Sequence, residues 1–179
     1  MQSDRIERQY KDEQELYRYL MDNNEISFAS YIDEVYKKVL LLSAASYFES
    51  VISKTVINFA KDSTSIDHRV AVLVEKKAIS RQYHTLFQWD SKNTNSFWGL
   101  FGEETKNSAR KTINASEELR QAEKDFLELG QERNLLVHEN FSEYGVNNTV
   151  DEIYKKYKSA CKFIAFIPEV LKPTFLRDN

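Results

Sequence analysis

The chain has 179 residues, the size of one ordinary domain, with 41% hydrophobic and 13% aromatic residues, which excludes a disordered polymer and allows a core without covalent staples. Four glycines and two prolines argue against a turn-rich β-fold and favour long helices. A formal net charge of −3 excludes the strongly basic footprint of a sequence-blind nucleic-acid binder, though not an enzyme that touches a few phosphates in a local cleft.

The spacing of apolar residues predicts a first helix over about 3–21, with Ile6, Tyr10, Tyr17, Leu20 and Met21 on one stripe, ended by the turn cluster Asp22-Asn23-Asn24. A second and longest helix is predicted over about 27–61. Its middle, Val39 to Val51, is apolar or small on nearly every side, which places it at the centre of a bundle, and Ala44, Ala45 and Ser46 leave room for a neighbouring helix. After Asp62-Ser63-Thr64-Ser65 a third helix is expected over 66–79, with Val70, Leu73, Val74 and Ile79 inward. The segment 80–102 reads as a packed excursion: one short turn at Tyr83–Trp89, another at Phe97–Phe101, closed by Gly102. Its aromatic clusters suit core packing better than a base-stacking platform, given the acidic total charge.

A further helix is predicted from Asn114 to Asn140, capped by Asn114 with Glu117 three residues on, and buried along Leu119, Ala122, Phe126, Leu129 and Leu136. The last helix starts at Thr149, with Glu152 at the same spacing, and Pro168 is expected to stop it. The tail 169–179 is expected to be loosely held. The fold class expected is therefore all-α: an up-and-down bundle of four to six helices in one domain over 1–179, with an N-terminal helix, a core over 27–167 and a short aromatic crossover.

Cys161 alone makes neither an internal disulfide nor a cysteine zinc site, and reads as a small apolar residue on a helix. Met1–Asp12 lacks the apolar stretch of a secretory leader, and no apolar run is expected to reach the roughly 20 residues of a bilayer span. The expectation is a cytoplasmic protein without a membrane partner.

Three histidines are present: His68, His84 and His138. None has a second His or Cys at ligand spacing, so neither a metal nor another cofactor is expected. His68 reads as solvated in the first turn of a helix, and His84 as a packed polar edge of the aromatic cluster. The pairs Lys37-Lys38, Lys76-Lys77 and Lys155-Lys156 read as solvated faces, one of which could line a path for RNA.

The segment Gln131-Glu132-Arg133-Asn134-Leu135-Leu136-Val137-His138-Glu139-Asn140 stands apart. On a helix, Asn134 and His138 share a face, whereas Arg133 lies about 140° round and roughly 7–8 Å along from His138. The three polar groups form an arc opposite Leu129 and Leu136. By itself that spacing also fits an ordinary surface cluster. The chemistry the arc suits is metal-independent RNA cleavage, in which the 2′-hydroxyl attacks its own phosphate. Histidine carries the proton, arginine's fork faces the phosphate oxygens, and asparagine orients phosphate or imidazole. One copy supplies one such histidine. A two-fold dimer that apposes the arcs supplies two.

Arg133-Asn134-Leu135-Leu136-Val137-His138 resembles the Arg-polar-x(3)-His form of the Arg-x(4–6)-His motif of the HEPN superfamily, at the hairpin of the last two helices. Leu40 to Ser50, with its small residues and Glu49, resembles that family's central helix. Phe97-Trp98-Gly99-Leu100-Phe101-Gly102 resembles the crossover of the RiboL-PSP-like branch. The resemblance covers roughly 31–167. It implies a helical core, homodimerisation through the motif helices and frequent ribonuclease activity in toxin–antitoxin pairs or phage defence. It also implies that Glu49 can face the motif and hold Arg133 or His138; an exposed glutamate beside Lys54 is the equal alternative. Two competing readings stay open: a non-catalytic HEPN module that dimerises or holds a partner such as an antitoxin, an ATPase or a nucleotidyltransferase, and an unrelated helical bundle.

Overall fold

A computed structural model describes residues 2–64, 69–80, 82–139 and 141–172. Among them there are helices and turns but no strand: α1 (Gln2–Asp22), α2 (Ile26–Ser63), α3 (Arg69–Val74, continuing as a π-turn over Glu75–Ile79), a 3₁₀ turn at Tyr83–Thr85, α4 (Asn95–Gly99), α5 (Glu103–Ala115), α6 (Glu117–His138) and α7 (Val150–Val170). The bundle is all-α, with one helix more than the four to six expected.

Helix α2 is the axis. Leu40, Leu41, Ala44, Phe48 and Ile52 are buried along one side, against α6 and α7. The rings of Phe48, Phe126 and Tyr157 meet at centroid distances of 5.7 Å, joining the three helices. Contrary to the sequence expectation, α2 is long and apolar enough to cross a membrane by length and composition. A core helix meets the same requirement, and here that apolar middle carries the bundle. Helices α6 and α7 form the closest pair. Helix α7 opens on the expected capping box: Thr149 Oγ1 accepts the Glu152 N–H at 3.2 Å, and the Glu152 carboxylate accepts the Thr149 N–H at 2.8 Å.

Several expectations need correction. Helix α5 occupies the stretch 103–115, where the sequence pattern predicts no element before Asn114; its buried stripe is only Ala109 and Ile113, too thin for a clear period. The cap of α6 is Ser116, whose Oγ accepts the Leu119 N–H at 3.2 Å, not Asn114. Pro168 does not stop α7, which continues to Val170 with Leu171 donating to the Ile167 carbonyl at 3.1 Å. Leu171 is buried, so the chain is held at least that far; 173–179 lie outside the described residues. In α3 it is Ala71 and Ile79 that are buried, while Val70 and Leu73 face solvent. In α1 only the first half of the stripe is covered: Ile6 is buried, but Tyr17 and Met21 are exposed. Lys38 is not a solvated lysine. It is buried, donates to the Phe141 carbonyl at 2.7 Å and sits over the Phe141 ring, closing the end of α6.

The crossover folds as two short turns around a buried aromatic cluster of Phe87, Phe97 and Trp98, as the composition suggested. Gly102 closes it at φ 96°, a left-handed backbone that suits glycine. A buried ion pair fastens the crossover to α6. Arg110 grips Glu123 at 2.7 and 3.0 Å, and the same carboxylate accepts the Thr94 N–H and hydroxyl at 2.9 and 2.6 Å.

Candidate active site

Helix α6 carries Arg133, Asn134 and His138 in its last two turns. Leu129 and Leu136 on the opposite side are buried, and this anchors the rotation of the helix. Arg133 and Asn134 are half-buried and linked: Arg133 Nη1 donates to Asn134 Oδ1 at 3.0 Å. One residue earlier, Glu132 accepts from Asn148 Nδ2 at 2.8 Å, and Asn148 in turn accepts from Lys156 at 3.0 Å, which pins the motif segment to α7. Burial raises the Glu132 carboxyl above its ordinary value, against the pull of Asn148.

Arg133 and Asn134 line a narrow crevice of about 10 Å³, room for about one water, between α6, α2 and the 3₁₀ turn. Glu49 lines it from α2, Gly130 from α6, and Tyr83, His84 and Trp89 from the crossover. Glu49 is half-buried and shares this lining with Arg133. Glu49 and Arg133 both act on the buried Tyr83: burial pushes its phenol well up, the Glu49 charge adds to that, and the Arg133 charge opposes it.

His84 corrects the sequence reading. Rather than a packed edge, it is exposed and shares the cleft with Arg133 and Asn134. Trp89 Nε1 donates to the His84 carbonyl at 2.8 Å and so holds the turn in place. The only available signal was the alternation of polar residues with Tyr83, Leu86, Phe87 and Trp89, which says nothing about which helix the turn lies on. His138 is exposed on the last residue of α6, one turn beyond Asn134, and does not line the cleft. Its neighbours Leu135, Val137 and Phe141 are exposed apolar residues. His68 lies outside the described residues. Lys76, Lys77 and Lys155 are solvated, whereas half-buried Lys156 binds Glu128 at 2.9 Å. Burial pushes the Cys161 thiol up, in keeping with a packing role.

The motif helix, a central-helix glutamate and an aromatic crossover thus converge on one cleft. The family model for RiboL-PSP-HEPN matches residues 7–173. The chain belongs to the RiboL-PSP-HEPN family. No curated protein and no solved structure gives a match. In this HEPN domain Arg133 to His138 lie within the matched span, which covers α1 from residue 7 and every described helix after it.

Proposed function

We propose that this HEPN domain is a homodimeric endoribonuclease that cleaves RNA without a metal. The observation that carries the reading is the convergence of Arg133, Asn134, Glu49 and His84 on one cleft, with His138 exposed one turn away. The 2′-hydroxyl attacks the adjacent phosphorus, forming the O2′–P bond and breaking the P–O5′ bond. The 2′-hydroxyl proton passes to an imidazole, and a second group returns a proton to the 5′-oxygen, leaving a 2′,3′-cyclic phosphate. Arg133 faces the charge that builds on the phosphate oxygens, and Asn134 holds the guanidinium and the substrate in register. His138 is the first proton carrier and His84 the candidate for the second, with Glu49 supporting the cleft.

The surface around the motif supports the dimer reading. Arg133, Val137, Asn134, His138 and Leu135 occupy a contiguous arc at the end of α6, in which Leu135 is 45% and Val137 51% exposed. Apolar and hydrogen-bonding groups side by side on one patch suit a two-fold interface, where each copy supplies what the other needs. The biological setting proposed is a cytoplasmic toxin or anti-phage effector, restrained by an antitoxin or a neighbouring regulatory protein.

The deciding experiment is incubation of purified protein with RNA in the presence of a chelator, with analysis of product ends. Cleavage to 2′,3′-cyclic phosphate ends that disappears in His138→Ala supports the reading. Full activity in His138→Ala removes that residue from the mechanism, and loss of all cleavage on chelation removes the metal-free chemistry.

A non-catalytic binding module is the second reading, and one observation favours it. Around the α1–α2 turn, Tyr19, Ile26, Phe28 and Tyr31 are each more than 60% exposed, an apolar tip that suits a protein partner. Recovery of a stoichiometric complex from cells, with no cleavage of any RNA, supports it.

A further inference from the structure

A second cleft lies on the far side of Trp89 from the motif. It measures about 610 Å³, within the size range of ligand sites, and runs between α5, α6 and the loop 89–93. Its wall carries four cations, Lys92, Arg110, Arg120 and Lys124, against two carboxylates, Glu123 and Glu128. That local excess of positive charge contrasts with a chain of net charge −3.

Neither carboxylate is idle. Glu123 is buried and taken up by Arg110 and Thr94, as described above. Glu128 is held by Lys156 at 2.9 Å, with Lys124 farther off at 3.6 Å. Arg110 is thereby a structural cation. Arg120 donates to the Asn114 carbonyl, a neutral acceptor, and makes no ion pair with any described residue. Lys92 makes no ion pair with any described residue. Lys92, Arg120 and Lys124 are all exposed; Lys124 shares Glu128 with the closer Lys156, while Lys92 and Arg120 have no carboxylate partner among the described residues, and these three are the charges placed to meet an anion.

Trp89 lines both clefts and is half-buried, so its indole is a wall common to the two. From Arg133 back to Arg120 along α6 is roughly 20 Å at 1.5 Å per residue, the reach of a few nucleotides. A strand whose scissile phosphate sits at Arg133 and Asn134 passes Trp89, where a base can stack, and meets the three cations with its next phosphates.

We infer that this cleft is a binding subsite for the single-stranded RNA flanking the cut. The inference rests on the ribonuclease reading for its direction and deepens it by naming where the flanking strand is held: on one side of the cleavage point, past Trp89 and along Lys92, Arg120 and Lys124. A duplex cannot present a free base face to Trp89.

The test is fluorescence anisotropy of the full chain with a single-stranded 2′-O-methyl oligonucleotide, which lacks the attacking hydroxyl and is not cut. In Lys92→Ala/Arg120→Ala/Lys124→Ala, affinity is expected to fall at least tenfold. The slope of log affinity against log salt should become shallower by about two, at roughly 0.7 for each phosphate no longer neutralised. Lys106→Ala/Lys158→Ala/Lys162→Ala, away from the cleft, controls for net charge and should bind as the wild type does. Circular dichroism confirms that both triple variants fold. Equal affinity and slope in the cleft variant and the wild type overturn the inference, as does failure of the wild type to bind the strand. The ribonuclease reading stands or falls separately: a protein that binds through this cleft yet cuts no RNA keeps the subsite and loses the enzyme. A protein that cuts RNA while the cleft variant binds undiminished keeps the enzyme and loses the subsite.

Discussion

The indole of Trp89 occupies the space that a side chain on Gly130 would fill: its Cζ3 and Cε3 atoms lie 2.0 and 2.1 Å from the position of a Cβ there. The same indole donates to the His84 carbonyl at 2.8 Å. One missing methyl group on α6 thus lets the crossover settle on the motif helix and bring Tyr83 and His84 beside Arg133.

Gly130→Ala tests that relationship. Alanine improves helix propensity by about 0.8–1 kcal/mol, but the displaced ring costs about 1–3 kcal/mol in overpacking, so the overpacking is expected to win. Urea unfolding should show net destabilisation, together with a changed tryptophan emission. Gly99→Ala is the control, since a Cβ there meets only the Lys106 Cδ at 4.0 Å. Equal stability of Gly130→Ala and wild type refutes the close-packing account.

Arg133→Lys keeps the charge but loses the planar fork. Cleavage is expected to fall by about 10²-fold or more, consistent with removal of one preorganised donor to a developing oxyanion, while the melting curve stays that of the wild type. His84→Ala is expected to slow cleavage less than His138→Ala and to remove one limb of the pH–rate profile. An unaltered profile in His84→Ala excludes it from proton transfer.

Mixing two inactive variants tests the shared site. If Arg133 of one protomer works with His138 of its partner, co-refolded Arg133→Ala and His138→Ala chains regain measurable cleavage that neither has alone. No recovery, with mixed dimers verified by mass, places the working pair within one chain.

Glu13 on α1 is 1% exposed and, among the described residues, accepts from Gln14 Nε2 at 3.0 Å. Burial raises its carboxyl above 4.5, with the Asp33 and Asp151 charges adding to the shift and Gln14 opposing it. A proton held more tightly in the folded than in the unfolded chain stabilises the fold fully below the unfolded value. That contribution disappears as pH rises through the raised one. Glu13→Gln should therefore raise the melting temperature at pH 7 and leave it nearly unchanged near pH 4. A lower melting temperature at pH 7 contradicts this.

Thr149→Ala removes the side chain that caps α7 beside the motif hairpin. The expected cost is about 1 kcal/mol, or roughly 2–4 °C in melting temperature for a chain of this size. No shift in the midpoint means the Thr149–Glu152 box is redundant with the packing of Ile153 and Tyr157.

Local pattern alone determined the long elements. The apolar periods of α1, α2, α6 and α7, the Thr149–Glu152 box, and the order of Glu49, the aromatic crossover and the Arg133–His138 segment were all legible, because each depends on residues a few positions apart. Helix α5 was not, since a helix with two buried residues leaves hardly any period to read. Nor were the second half of the α1 stripe and the burial of Lys38, which depend on what a distant segment covers. His84 is the sharpest case: it joins Arg133 only because Trp89 fits against Gly130, a meeting of two parts of the chain that no spacing rule connects. Which residues share a helix face follows from the 3.6-residue turn, but which faces meet is decided by long-range packing.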